Sequence, residues 1–156
     1  MSAEVQTFNT HILVAVDESE NASRAVSYVG HMMASLKGVK VMILHVIRQA
    51  EEDYFATAAE RDNWIRNYRQ QVEDMLKRYR QMLIDAGFDP QQVTTRGATR
   101  QCPSLAECIL EERRKTGFST IVVGRQGLSR SEEFLFGSVS SKIVTHARNC
   151  TVWVVE

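Results

Sequence analysis

The 156-residue chain carries no excess charge: 19 Lys and Arg residues match 19 Asp and Glu residues. No global field draws it to nucleic acid or to anionic lipid, so neither is expected as a partner. It also lacks any apolar run near the roughly 20 residues that span a bilayer, and membrane insertion is not expected. The opening MSAEVQTFNT has neither a basic n-region nor an apolar h-region, which makes a cytoplasmic location the expectation. Cysteine is sparse. Cys102, Cys108 and Cys150 form neither a CxxC pair nor a zinc-type set, so reduced thiols are expected in that compartment. His11, His31, His45 and His146 are scattered, and each reads as structural or exposed rather than as a ligand.

What the chain does have is an apolar content of 44% with 24% charged residues. That suits one domain, residues 1–156, with a single substantial core. Apolar, β-branched runs at 12–16, 39–47, 93–95, 121–123 and 152–155 are short and bounded by polar or turn residues, as strands buried on both faces are. Between them, Ala22, Ala25, Val26, Val29, Met32, Met33 and Leu36 step by three and four, and Lys37-Gly38 closes the run. A longer stripe from Trp64 to Leu83 ends at Ala86-Gly87, with Pro90 just beyond. Ser104-Leu105-Ala106-Glu107 has capping-box spacing, in which the Ser104 hydroxyl accepts from the Glu107 amide while Glu107 reaches back. Thr116-Gly117 ends that helix, and a fourth begins near Ser138 and runs to about Arg148. The order β-α-β-α-β-α-β-α-β demands parallel strands joined by right-handed crossovers. The predicted fold is α/β, an open five-stranded parallel sheet with helices on both faces. Residues 48–58 are charged and without period, and are expected to form an exposed linker or irregular lead-in.

In such a sheet, ligands bind beyond the carboxyl ends of the strands. The first strand exits into Asp17-Glu18-Ser19. An Asp there can cap the next helix, or accept from a ribose hydroxyl or an adenine amine. The second exits through Leu44-His45-Val46-Ile47, whose backbone can read the edge of a purine. The fourth exits into Gly124-Arg125-Gln126-Gly127, and Gly137-Ser138-Val139-Ser140 opens the last helix. Glycine lacks Cβ, so amides there can turn toward an anion without steric conflict. The unpaired N–H groups and positive dipole end of the helix add to that attraction. The spacing G-x2-G-x9-G-S is not the phosphate-binding GxxxxGK[ST], nor the dinucleotide fingerprint GxGxxG, which belongs after the first strand.

This motif, the opening strand ending at Asp17, and Leu44-His45-Val46 together resemble the universal stress protein family, specifically its ATP-binding branch, over essentially the whole chain. The resemblance implies a Rossmann-like fold related to the adenine-nucleotide-binding alpha hydrolases. It implies ATP, or else AMP or ADP, as the ligand, with Mg²⁺ or Mn²⁺ held through the phosphates. Asp17 and the backbone near Val46 are then ribose and adenine contacts, and Gly124 and Gly127 the ribose–phosphate loop. Gly137, Ser138, Val139 and Ser140 become the triphosphate cradle. Arg125 and Arg130 read either as nearby cations or as solvated loop residues; members often have a small residue where Arg130 stands. Lys142, one turn into the helix, can point either way.

The resemblance also implies a homodimer through strand 152–155, whose apolar edge is costly to leave uncovered. Many members have proline just before that strand; here Asn149-Cys150-Thr151 occupies the stretch. The expected function is an ATP-binding regulatory stress-response protein, read by a protein partner that the sequence does not name. Slow ATP hydrolysis at the same site is the alternative. A dedicated adenylating enzyme is disfavoured, because His-x-Gly-His and SGGxDS are both absent, and no catalytic residue is assigned.

Overall fold

The computed structural model describes residues 7–48, 54–125 and 137–156. Five strands, β1 (Ile12–Ala15), β2 (Val41–Arg48), β3 (Val93–Arg100), β4 (Thr120–Gly124) and β5 (Thr151–Val155), alternate with four helices. These are α1 (Glu20–Met33), α2 (Ala58–Ala86), α3 (Leu105–Thr116) and α4 (Ser138–His146). Every strand pair is parallel, in the order β3-β2-β1-β4-β5. The fold is the α/β sheet expected. Among the described residues, no helix is long and apolar enough to cross a membrane.

Side chains alternate across a strand, and that alternation builds two cores. Ile12, Val14, Val41, Ile43, Val93 and Val122 face α1 and α2, meeting Ala25, Val26 and Val29 from one helix and Met75, Leu76 and Leu83 from the other. Leu13, Leu44, Val46, Ile121 and Val123 face α3 and α4, packing on Ala106, Ile109, Leu110 and Ile143. The C-terminal ends of α2 and α3 fall at Gly87 and Gly117, as read from the sequence, whereas α1 stops at Met33, before Lys37-Gly38. Gly87 takes φ 119 to close α2, where its amide donates to the Leu83 and Ile84 carbonyls. The Ser104 hydroxyl accepts from the Glu107 amide at 3.3 Å.

Three further local expectations are corrected. β3 continues past Thr95 to Arg100. It lies at the sheet edge, so Thr94, Arg96 and Thr99 stay exposed and the continuous apolar signal of a central strand is missing. The second is in the cysteines: Cys102 and Cys108 form a disulfide, and Cys150 alone is free. The turn capped by Ser104 folds the connection back over the start of α3, bringing together two cysteines that no CxxC spacing pairs. The third is at the last helix, which stops at His146. Beyond it Asn149 adopts φ 56, a left-handed conformation that asparagine tolerates. The Arg113 guanidinium donates to the carbonyls of Phe118, Arg148 and Asn149 at 2.8, 3.2 and 2.6 Å. An asparagine turn clamped by Arg113 thus delivers β5, in place of proline.

α3 is tied to β3 by a buried carboxylate. Glu112 is fully buried, and its Oε2 lies 3.1 Å from Arg96 Nε. On the other sheet face, α1 presses on the exit of β4. A Cβ on Gly124 would lie 2.8 Å from the main-chain carbon and Cβ of Asn21. The glycine is therefore required by a close approach of helix backbone to strand. Gly124→Ala must push the first turn of α1 away, and is expected to destabilise the fold by about 1–3 kcal/mol. A lowered urea midpoint would show this; an unchanged midpoint would contradict the close approach.

Candidate functional site

The chain runs β1 to β2 to β3 toward one sheet edge, then returns to lay β4 and β5 on the other side of β1. The connections diverge at the carboxyl ends of β1 and β4, which is where a parallel sheet leaves a crevice. A cavity of about 530 Å³ opens there. The structure brings Asp17, Val46, Gly124, Arg125 and Gly137 through Ser140 together around it. Gly127 and Arg130 lie outside the described residues.

Asp17 leaves β1 in a turn. Its Oδ1 accepts from the Ser19 amide at 2.8 Å, while Ser19 itself is the N-cap of α1, its hydroxyl accepting from Ala22 N–H at 3.2 Å. Capping therefore belongs to Ser19, and Asp17 supports the turn two residues ahead. Two side chains hold the β1 exit in place. His45 Nδ1 lies 2.8 Å from the Val16 carbonyl, and its Nε2 lies 3.0 Å from Tyr68 Oη. A carbonyl only accepts, so Nδ1 carries the proton. Tyr79 donates its hydroxyl to the Asp17 carbonyl at 2.6 Å.

His45 has a second effect. The β1–β2 ladder ends at Ala15↔Leu44, with Val16 N–H donating to the Leu44 carbonyl at 2.8 Å. In a parallel ladder the next partner for the Val16 carbonyl would be the Val46 amide. The imidazole takes that place. The N–H and C=O of Val46, two residues beyond Leu44, thus face the side on which β1 has turned away.

The opposite wall is main chain. The Arg125 amide donates to the Val155 carbonyl at 2.7 Å, and the Arg125 carbonyl accepts from Gly137 N–H at 2.8 Å. Ser140 is buried, and its hydroxyl donates to the same carbonyl at 2.8 Å. That hydroxyl holds the entrance of α4 to the exit of β4, so it is not aimed at a ligand. Ser138 is exposed. Among the described residues no side chain caps α4, and the first-turn amides of Ser138, Val139 and Ser140 have no carbonyl within the helix to bond.

Arg125 is half-buried, with one terminal nitrogen 3.0 Å from Glu156 Oε1. Its Nε is buried and has no hydrogen-bond partner among the described residues. Of the two readings the sequence left open, a nearby cation or a solvated loop residue, its place in the cavity wall, paired with Glu156, agrees with the first.

Other residues complete the cavity. Leu105 and Ile109 of α3, Leu44 of β2 and Ala22 of α1 supply apolar lining. Nothing in the sequence separates a crevice-lining apolar residue from a buried one. The hydrogen bonds of His45 and Tyr79 join residues 29 and 62 positions apart, beyond the reach of any local pattern.

The Tyr79 phenol has its pKa raised from 10.0 to about 12 by burial first, then by the carboxylates of Glu18 and Asp17, against a smaller opposing effect of Arg78. The folded value lies above the unfolded one, so the protonated phenol's stabilisation is complete below pH 10 and is lost as pH rises toward about 12. Urea midpoints should fall over that interval, and fall less steeply in Tyr79→Phe. Parallel pH profiles for the two proteins would contradict the assignment.

The sequence model of the universal stress protein family matches residues 9–156. Over 152 residues the chain is 27% identical to universal stress protein YxiE of Bacillus subtilis (strain 168), covering 93% of this chain and 97% of that protein. Among solved structures, hypothetical protein MJ0577 superposes with a TM-score of 0.78 at 25% identity, over 96% of each chain. The universal stress protein from Archaeoglobus fulgidus in complex with dAMP gives a TM-score of 0.67 at 20% identity, over 96% of this chain and all of that one. With nearly the whole chain matched by the family and the sheet shared with these structures, the chain belongs to the universal stress protein family.

Proposed function

We propose that the chain is an ATP-binding regulatory protein of the stress response, in the ATP-binding branch of its family. One observation carries this reading: a helix N-terminus that no side chain among the described residues caps meets a cavity at the switch point of a parallel sheet. Orphan amides and the positive dipole end attract phosphate oxygens. The cavity lies within the volume range of sites that hold small ligands and cofactors. The buried Nε of Arg125, with no partner among the described residues, adds a donor in the same wall. The Archaeoglobus fulgidus relative in complex with dAMP supports an adenine nucleotide as the ligand class.

In this reading the amides of Ser138, Val139 and Ser140 hold the phosphates, with Gly137 keeping the approach open. Gly124 and Gly127 flank the ribose and its phosphate. With Oδ1 accepting from Ser19, Asp17 offers Oδ2 to a ribose hydroxyl. The main chain of Val46 reads the adenine edge, one donor and one acceptor. ATP, when bound, supplies the polyphosphate charge that these groups neutralise; AMP or ADP would use fewer of them. Mg²⁺ or Mn²⁺ is proposed to be held through the phosphates, since among the described residues no three His, Cys, Asp or Glu side chains converge. A cytoplasmic location and a regulatory protein partner complete the proposal.

The two sheet edges differ. β3 exposes Thr94, Arg96 and Thr99, whereas β5 is the half-buried TVWVV. Beside β5, α1 exposes Tyr28 and Met32, and the Tyr28 ring sits edge-on to Trp153 at 6.0 Å. An apolar edge flanked by exposed apolar side chains favours pairing with a second copy through residues 152–155.

Isothermal titration should show ATP binding in the presence of Mg²⁺. Gly137→Val should abolish it without unfolding the protein, since its Cβ and methyl groups crowd the amides. Normal binding by that variant would move the phosphates elsewhere. Turnover should stay below the usual enzymatic range of ~1–10³ s⁻¹; a steady-state rate inside it would favour the hydrolase reading. Sedimentation equilibrium should give twice the 17.7 kDa of one chain, and a monomer at all concentrations would remove the dimer.

A further inference from the structure

The Cys102–Cys108 bridge, with Cα atoms 5.6 Å apart, joins the β3–α3 connection to the first turns of α3 across the cap made by Ser104. Its neighbours on that helix, Leu105 and Ile109, line the crevice. The far end of α3 is tied down without it, through the Glu112–Arg96 ion pair and the Arg113 clamp. The covalent bond therefore acts where the helix forms the crevice wall. Cys108 is 1% exposed, while Cys102 is only partly buried against the same apolar cluster. In a reducing compartment a disulfide is usually transient and regulatory rather than a permanent brace.

We propose that Cys102 and Cys108 form a redox-modification site whose co-reactant is a dithiol or its disulfide, and whose bonded state fixes the α3 wall of the crevice. The effect on binding rests on the nucleotide reading above; the redox site itself does not. In reduction, a thiolate of the dithiol attacks Cys102 Sγ, the more accessible sulfur. The protein S–S bond breaks and Cys108 leaves as a thiolate, which takes a proton from water. The second thiolate of the reductant then attacks the mixed disulfide, releasing Cys102 and closing the reductant's own S–S bond. Two electrons pass to the protein, and one disulfide replaces another. With the bond open, residues 102–104 regain backbone freedom and the first turn of α3 loses its covalent restraint.

The test uses the full chain, once treated with oxidised glutathione and once with dithiothreitol, alongside Cys102→Ser. Alkylation in denaturant should add one group to the oxidised protein, at Cys150, and three to the reduced protein. Hydrogen exchange in peptides covering 101–110 should quicken at least threefold on reduction, and Cys102→Ser should match the reduced form under both treatments. ATP affinity should weaken at least threefold on reduction in the wild type and not respond in Cys102→Ser. Three alkylated cysteines after oxidation, or equal exchange in the two states, would overturn the proposal. Equal ATP affinity in the two states, with exchange altered, would overturn the coupling to the crevice. No ATP binding in either state would instead overturn the nucleotide reading, and the exchange comparison would still decide the redox site.

Discussion

The site depends on how the exit of β1 is held open between its two neighbours. A parallel ladder tends to continue, because each unpaired N–H and C=O has a partner within reach on the adjacent strand. Here the ladder stops at Ala15↔Leu44, and the Val16 and Asp17 carbonyls are taken by His45 and Tyr79. His45 satisfies the carbonyl that would otherwise draw β1 and β2 together, and Tyr79 holds the next carbonyl, on the side of β1 away from β2. On the other side, the missing Cβ of Gly124 lets Asn21 and the first turn of α1 settle against β4. The crevice is thus bounded by backbone whose polar groups are either bonded within the fold or left facing inward.

The α4 wall follows the same economy. Arg125 offers one carbonyl, and both the Gly137 amide and the Ser140 hydroxyl come to it. That anchor sets the direction of α4, and among the described residues its first-turn amides have no side-chain cap. A helix end in a protein interior is normally satisfied by a side chain or a ligand. The site therefore combines a fixed scaffold with donors that no side chain among the described residues caps, the pairing that electrostatic recognition of an anion requires.

Much of this was legible in the sequence where a signal is local. The runs that became β1, β4 and β5 are apolar and β-branched because both sheet faces are covered. Ser104, Gly87 and Gly117 mark helix ends because caps need a hydroxyl or a left-handed residue at a fixed offset. Asp17 and Gly124 do stand at the exits of β1 and β4, although Gly124 proves to be required by the close approach of Asn21. Signals that depend on tertiary partners were not legible. The edge position of β3 hid half its length, and the Cys102–Cys108 bridge spans six residues over a helix cap rather than a recognised spacing. His45 and Tyr79 gave no hint that their partners would be main-chain carbonyls of another strand.

The central claim, that main-chain amides at the start of α4 hold a nucleotide's phosphates, is tested most directly residue by residue. Titrating ATP and Mg²⁺ into ¹⁵N-labelled protein and following backbone amide resonances should give the largest downfield shifts at Ser138, Val139 and Ser140. Saturation by ATP with those three resonances unmoved, and the shifts clustered elsewhere, would contradict the account.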